Sequence, residues 1–400
     1  MKEKKFLFLI FLFALILRIC FILTLDNSVD VWGDWWDELG WKLATGKGYW
    51  VANPYFKGGP KFYAWRSPGF PLFLALIYKI FGHSYFAAKV GLALLSSLTV
   101  ILIFFLGKIL VDEKTGILSS IIYSIYPASI FWTGYLCPVT LEIFLMLGFV
   151  LFLYIGEKTK NWIHFGISGI FLGLGVLTRS LFLVFFPLLL IYFFIKEKKP
   201  LMMKYSTVIF IIGFLVILPW IIRNYKIFHR FLITSTEGGI VSYIANNQNS
   251  LNEPSGYWNP PFEFFEKYKG MNEIEINKAL YRETVNFIIS NPGIYIKLVL
   301  DRFIRYWRLY PHTFSGPGEN YKKYHVIGGF LINTPLIFLG FLGILKYLKH
   351  WKKFLLIYFL IIGWSIPVIL FFKTVIRYRE PLFPFLIIFS ILFLKKNVER

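Results

Sequence analysis

Hydrophobic residues in this chain come in long runs, not in the one-sided pattern of a surface helix or the alternation of a half-buried strand. A helix of about 20 apolar residues crosses the hydrocarbon core of a bilayer. By that rule the runs predict ten spans, near 6–25, 88–108, 116–132, 138–156, 162–178, 180–195, 205–222, 326–346, 353–372 and 381–395. The apolar stretch at 68–82 is too short to cross and predicts a helix lying at the membrane interface. The N-terminus joins a basic head to a long apolar run without a small-residue cleavage site, which predicts an uncleaved first span. Two long segments, 26–87 and 223–325, stand outside the runs and are rich in Trp, Tyr, Gly and Pro. The second carries helical spacing broken at Asn291-Pro292-Gly293. These boundaries divide the chain into an N-terminal membrane module (1–222), a partly helical outer segment (223–325) and C-terminal spans (326–400). No internal repeat and no low-complexity tract interrupts them.

Orientation follows from the short loops. MKEKK, GKILVDEKTG, GEKTKN, KEKKPLMMK, KYLKHWKK and LKKNVER are all Lys-rich, and ten spans put all six on one side. The positive-inside rule makes that side the cytoplasm, with both termini there and both long segments outside. Composition fits a lipid-solvated protein: 57% of the residues are hydrophobic and 16% charged. The net charge of +21 would suggest nucleic acid on a soluble protein; here the short loops account for much of it, and no nucleic-acid partner is expected. Cys20 and Cys137 are too few for a disulfide framework or a cysteine metal site and are read as small buried residues. The six histidines have no paired metal spacing, and Gly166, Gly169, Gly173 and Gly175 are read as close helix packing.

Candidate chemistry gathers at the outer ends. Asp26, Asp30, Asp34, Asp37 and Glu38 place five acids within 13 residues. A partly desolvated carboxylate there can act as a general base towards a hydroxyl or bind a metal. The other reading is a solvated acidic loop whose tryptophans form the interfacial belt. Glu142, near the outer end of the fourth span, is a functional candidate because ionisable groups in membranes are costly and face the protein interior. Arg18 in the first span pairs with an acid or snorkels. Arg179, Arg223, Lys373, Arg377 and Arg379 run against the positive-inside bias, and Arg66 precedes the interfacial helix in a stiff Arg-Ser-Pro-Gly turn. Arginine forks recognise phosphate, so this cluster suits either a phosphorylated lipid substrate or ordinary headgroups.

With these residues placed, the chain resembles the family-39 glycosyltransferases of the GT-C fold, which include protein O-mannosyltransferases and the aminoarabinose transferase that modifies lipid A. The resemblance rests on an ordered series: WDELGWKLATGKGY at 36–49, RSPGFPLFLAL from Arg66 with Phe81-Gly82, Tyr126-Pro127 with Glu142, GLGVLTRS around Arg179, PWIIRNY around Arg223, NPGIYIKLVLDRFIRYW, and RYREPLFP at 377–384. It implies an all-α polytopic membrane protein of about ten spans, with a long first outer loop carrying interfacial helices. It also implies transfer of one sugar, with inversion, from a polyprenyl monophosphate carrier to a protein, lipid or glycan acceptor outside the cytoplasm. A first-loop carboxylate would be the base: Asp34, with Asp30 as its rival and Asp37 and Glu38 in positioning roles. Glu142 would orient a metal or the acceptor, Arg179 would position substrate or loop, and Arg66, Arg223, Arg377 and Arg379 would hold the lipid phosphate. A divalent metal is required in some relatives and stays open here. The rival class is a flippase or transporter of lipid-linked sugars, which would favour paired, Gly/Pro-broken midplane helices in two related halves; neither is present.

Overall fold

The computed structural model describes residues 2–25, 35–196, 200–311 and 323–395, and its regular secondary structure is helical. In chain order the helices are α1 (Lys2–Leu23), α2 (Trp36–Ala44), α3 (Gly69–Phe81), α4 (Tyr85–Leu110), α5 (Glu113–Ile125), α6 (Pro127–Phe131), α7 (Val139–Thr159) and α8 (Trp162–Thr178). They continue with α9 (Phe185–Lys196), α10 (Pro200–Phe228), α11 (Gly238–Tyr243), α12 (Glu273–Ser290), α13 (Pro292–Tyr306), α14 (Lys323–Lys346), α15 (Trp351–Phe371) and α16 (Phe383–Leu394). Among the described residues the only sheet-like pairing is an antiparallel bridge between Val51 and Phe62 in the first outer loop.

Helix starts follow local chemistry. Ser84, Asp112 and Asn161 cap α4, α5 and α8 by accepting a backbone N–H of the first turn. Asn272 and Glu275 form a reciprocal capping box on α12, and Pro292 separates α12 from α13. Each of the ten expected spans coincides with a helix, but among the described residues only six helices (α1, α4, α7, α10, α14 and α15) are long and apolar enough to cross a bilayer. Helices α5, α8, α9 and α16 have 13, 17, 12 and 12 residues. Prolines and 3-10 turns interrupt their apolar runs, at Pro127 after α5 and at Ser180–Val184 before α9. Helix length therefore establishes a multi-pass protein without establishing a count of ten. Helix α3, 13 residues or about 20 Å long, buries Phe70, Leu74 and Tyr78 and exposes Leu72, Leu76 and Ile80 at four-residue spacing.

The bundle centres on α7, whose apolar stretch is 83% buried, while those of α1 and α14 are 22% buried and lie at the periphery. Helix α8 packs against α7 on one side and α10 on the other. The α8–α10 approach is a backbone contact: a Cβ on Gly169 would stand 2.7 Å from the Ile209 carbonyl oxygen, and one on Gly173 2.7 Å from that of Gly213. Gly175 faces the Phe182 ring, but Gly166 has nothing within 4 Å and is not a packing glycine.

Two sequence expectations are corrected in α1. Arg18 neither snorkels nor meets an acid; it is fully buried. It donates to Ser96 Oγ (2.7 Å), Ser129 Oγ (2.9 Å) and the carbonyls of Ala14 and Ser124 (both 3.0 Å). Small serines on α4 and α5 and in α6 leave room for the guanidinium and supply its acceptors. Cys137 is buried as expected, whereas Cys20 is exposed. It shares the outward side of α1 with Leu9, Phe13 and Ile16.

The lysine-rich loops meet at one end of the bundle. Lys108 pairs with Glu3 (2.6 Å) and Lys395 with Asp112, and Lys346 Nζ donates to the Lys395 carbonyl (2.7 Å). Tyr154 donates to the Lys353 carbonyl and Tyr205 to that of Lys160, while Lys196 pairs with Glu157 at 2.5 Å. This is the co-location that the charge pattern requires. Helices α7 and α8 run from that end to the opposite one, where the acids and arginines gather.

Candidate active site at one end of the helix bundle

Glu142 stands in the first turn of α7 and Arg179 is the residue at which α8 ends. Their helices are antiparallel neighbours, so the two side chains meet. Arg179 donates from Nε (2.7 Å) and Nη2 (2.6 Å) to Glu142 Oε1. The carboxylate is fully buried, and its other oxygen, Oε2, has no hydrogen-bond partner among the described residues.

Arg66 reaches the same place because of a glycine. Helix α3 begins at Gly69 against the last turn of α8, so closely that a Cβ there would lie 2.4 Å from Thr178 Oγ1 and 2.8 Å from the Leu177 carbonyl carbon. No other residue fits without parting the helices. The turn before it carries Arg66 over the indole of Trp36 (5.2 Å to the ring centroid), where it forms an ion pair with Glu237. Arg377, from the 3-10 turn between α15 and α16, closes the third side, 6.0 Å from the Trp36 centroid and 5.4 Å from that of Tyr378. Arg179 lies over the other part of this wall, 4.6 Å from the Tyr378 centroid. The ring quadrupole attracts cationic forks lying over aromatic faces and adds to what orients them.

Between them is a cavity of ≈ 290 Å³ lined by Arg66, Arg179, Arg377, Glu237, Trp36 and Tyr378, with Thr234, Ser235 and Tyr281 from the second outer segment. Its field is positive enough to move a phenol. Burial alone would raise the Tyr378 hydroxyl, yet Arg377, Lys373 and Arg179 pull it down to about 8. Such a site favours an anion with several acceptor oxygens.

The other residues singled out in the sequence fall elsewhere. Asp30 and Asp34 lie outside the described residues; the described chain resumes at Trp35, next to the cavity-lining Trp36. Asp37 is buried between α2 and α3, where it accepts from Tyr78 Oη (2.5 Å) and meets His83 Nε2 (3.0 Å). It fixes the first loop's helix. Glu38 is on the surface, paired with Lys42 at 2.5 Å. Arg223 donates to the carbonyls of Tyr63 (2.5 Å) and Tyr49 (2.7 Å) and to Asn224 Oδ1 (2.9 Å), clamping the first outer loop onto the end of α10 rather than lining the cavity. Arg379 is fully buried, donates to the Tyr306 carbonyl (3.1 Å) and that of Arg308, and does not line the cavity.

Sequence reasoning missed Glu237 and Glu273. Glu273, at the start of α12, accepts from the backbone N–H groups of Tyr63 (2.5 Å) and Ala64 (3.2 Å) and from Thr236 Oγ1 (2.6 Å). It joins the first outer loop to the second three residues before Arg66. Burial holds its carboxyl above the ordinary value, the hydrogen bonds from Thr236, Tyr63 and Ala64 and the charge of Arg223 opposing. The available signal was the polar run Thr234-Ser235-Thr236-Glu237-Gly238-Gly239 just beyond a predicted arginine. Among the described residues no three His, Cys, Asp or Glu side chains converge as metal ligands.

Residues 65–222 match the family model for dolichyl-phosphate-mannose-protein mannosyltransferase. A search by sequence among curated proteins finds no match. Among solved structures the chain is similar to the oligosaccharyltransferase AglB of Archaeoglobus fulgidus in complex with an inhibitory peptide and a dolichol-phosphate. That similarity has a TM-score of 0.58 and 15% identity, over 98% of this chain and 50% of that one. It is likewise similar to ArnT from Cupriavidus metallidurans bound to undecaprenyl phosphate, with a TM-score of 0.59 and 13% identity, over 97% of this chain and 60% of that one. The chain thus spans about half the length of the archaeal enzyme. A multi-pass helical bundle, an arginine-walled cavity at one end and these likenesses agree, and the chain has the GT-C glycosyltransferase fold, with its 65–222 region similar to the protein mannosyltransferase family.

Proposed function

We propose that this protein transfers one sugar from a polyprenyl phosphate carrier to an acceptor hydroxyl at the extracytoplasmic face of a membrane. The observation that carries the reading is the convergence of Arg66, Arg179 and Arg377 on one cavity at the helix ends. The likeness to folds solved with dolichol-phosphate and undecaprenyl phosphate supports it. The lipid phosphate sits among the three guanidiniums, and Trp36, Tyr281 and Tyr378 flank the sugar. The acceptor oxygen attacks the anomeric carbon from the face opposite the phosphate and inverts it. The new C–O bond forms as the bond from the anomeric carbon to the phosphate oxygen breaks, and the electron pair leaves with polyprenyl phosphate. Arginines aimed at that oxygen stabilise its developing charge. A first-loop carboxylate takes the acceptor proton; Asp34, two residues before Trp36, is assigned this role ahead of Asp30. Glu142 fixes the Arg179 fork, Arg223 and Arg379 hold the backbone around the cavity, and Asp37 holds α2.

Purified protein incubated with polyprenyl-phosphate sugars tests the reading by loss of sugar from the carrier. Asp34→Asn is expected to abolish transfer while the protein stays folded in lipid; an active variant moves the base to Asp30. If no donor is consumed while labelled lipid-linked sugar crosses the bilayer, the protein is a flippase and the proposal fails.

A further inference from the structure

The cavity that accepts an anion already contains one. Glu237 reaches in from the second outer segment, at the residue that precedes α11, and its carboxylate is paired with Arg66. The pair is largely withdrawn from water, with 13% of the Arg66 side chain and 24% of the Glu237 side chain exposed. Any phosphate bound among Arg66, Arg179 and Arg377 has this carboxylate for a neighbour. A site selected only for tight phosphate binding would have no use for it.

Its use lies in the difference between the two phosphates that must pass through the site if the transfer reading holds, and the inference rests on that reading. The carrier enters as a phosphodiester with one negative charge. It leaves as a phosphomonoester, which carries close to two at neutral pH because its second ionisation falls near pH 6. Repulsion from a fixed carboxylate scales with ligand charge, so it weighs about twice as heavily on the product as on the donor. From this geometry we infer that Glu237 is a charge counterweight: it keeps the arginine cavity selective for the monoanionic donor and expels the dianionic product. A bundle that offered the three arginines alone would bind its own leaving group more tightly than its substrate and stall after one turnover. Glu142 does not serve this purpose, since Arg179 and burial occupy it at the base of the site.

The role is distinct from a strut. If the Arg66–Glu237 pair merely held the second outer segment over the first loop, its loss would weaken every ligand alike. A counterweight gives a charge-dependent result of the opposite sign. The test uses the full chain in nanodiscs at pH 7.5 and measures equilibrium binding of an isoprenyl monophosphate and of its methyl phosphodiester. With Glu237→Gln the diester is expected to tighten on the order of tenfold and the monoester on the order of a hundredfold, the effect of one charge a few ångströms away on one and on two ligand charges. Added monophosphate should correspondingly become a stronger inhibitor of turnover. Glu237→Asp keeps the charge and is expected to retain the wild-type ratio of the two affinities, which covers the case in which the Gln variant fails to fold. Equal shifts for both ligands, weaker binding, no shift, or an altered ratio in the Asp variant overturns the role given to Glu237. Wild-type protein that binds neither ligand overturns the donor reading and this inference with it.

Discussion

Removing Arg179 should cost much more than removing its partner. Arg179→Met leaves Glu142, which is fully buried, without a cation, whereas Glu142→Gln leaves Arg179 with 19% of its side chain exposed and a cavity to turn into. An uncompensated buried charge costs about 3–5 kcal/mol. Losing one charge-assisted hydrogen-bond pair to a group that can still reach water costs about 1–2 kcal/mol. The double variant Arg179→Met/Glu142→Gln buries no charge and should come within about 1 kcal/mol of the Gln variant. Large chains shift by roughly 2 °C per kcal/mol, so thermal scanning in one detergent should find Arg179→Met lower by about 6–10 °C and Glu142→Gln by about 2–4 °C. The double variant should recover most of the loss. Additive single effects, or a Gln variant less stable than the Met variant, would refute the claim that Arg179 neutralises Glu142.

Glu273→Ala should destabilise by about 2–3 kcal/mol, because it orphans the buried N–H groups of Tyr63 and Ala64, while Glu273→Gln keeps those acceptors and costs less. The raised carboxyl pKa of Glu273 adds stability below its ordinary value of 4.5 that is lost as pH rises through the folded-state value. The midpoint of the Gln variant should therefore gain on wild type between acid and neutral pH. Deprotonation of Tyr378 near pH 8 places a negative charge in the cavity; titrated binding of an isoprenyl phosphate should weaken above that pH in wild type and less in Tyr378→Phe. Gly69→Val should separate α3 from α8 and reduce transfer at least tenfold, whereas Gly166→Ala, with open space around it, should be neutral or stabilising by up to about 1 kcal/mol. Activity and melting measurements on the two glycine variants check both.

The membrane character, the helix positions and the meeting of the basic loops were legible because they depend on local composition and on charge summed over short segments. The length of α5 and α9 was not, since Pro127 and the turn at Ser180–Val184 divide runs that hydropathy averages together. At the site, Glu142 stood out as a costly acid in an apolar run, Arg179 and Arg377 as cations running against the positive-inside bias, and Arg66 as a cation in a stiff turn. Arg223 and Arg379 stood out equally, but their partners are backbone carbonyls in distant loops, which composition does not reveal. Glu237 and Glu273 stayed hidden for the converse reason: acids in a polar outer segment look ordinary until the fold brings them against residues 63–66. Arg18 misled because serines rather than an acid receive it.

The clamps at residues 63–66 bear on how such proteins diversify. Arg223 on α10 and Glu273 on α12 grip the backbone of Tyr63 and Ala64 from two sides, two residues ahead of a cavity arginine. The first outer loop thus borrows its shape from a segment more than 200 residues further along. A loop transplanted from a relative without its companion segment would arrive without its mould. In recombination, natural or engineered, the two outer segments should travel as one unit, and acceptor preference should follow the pair rather than either half.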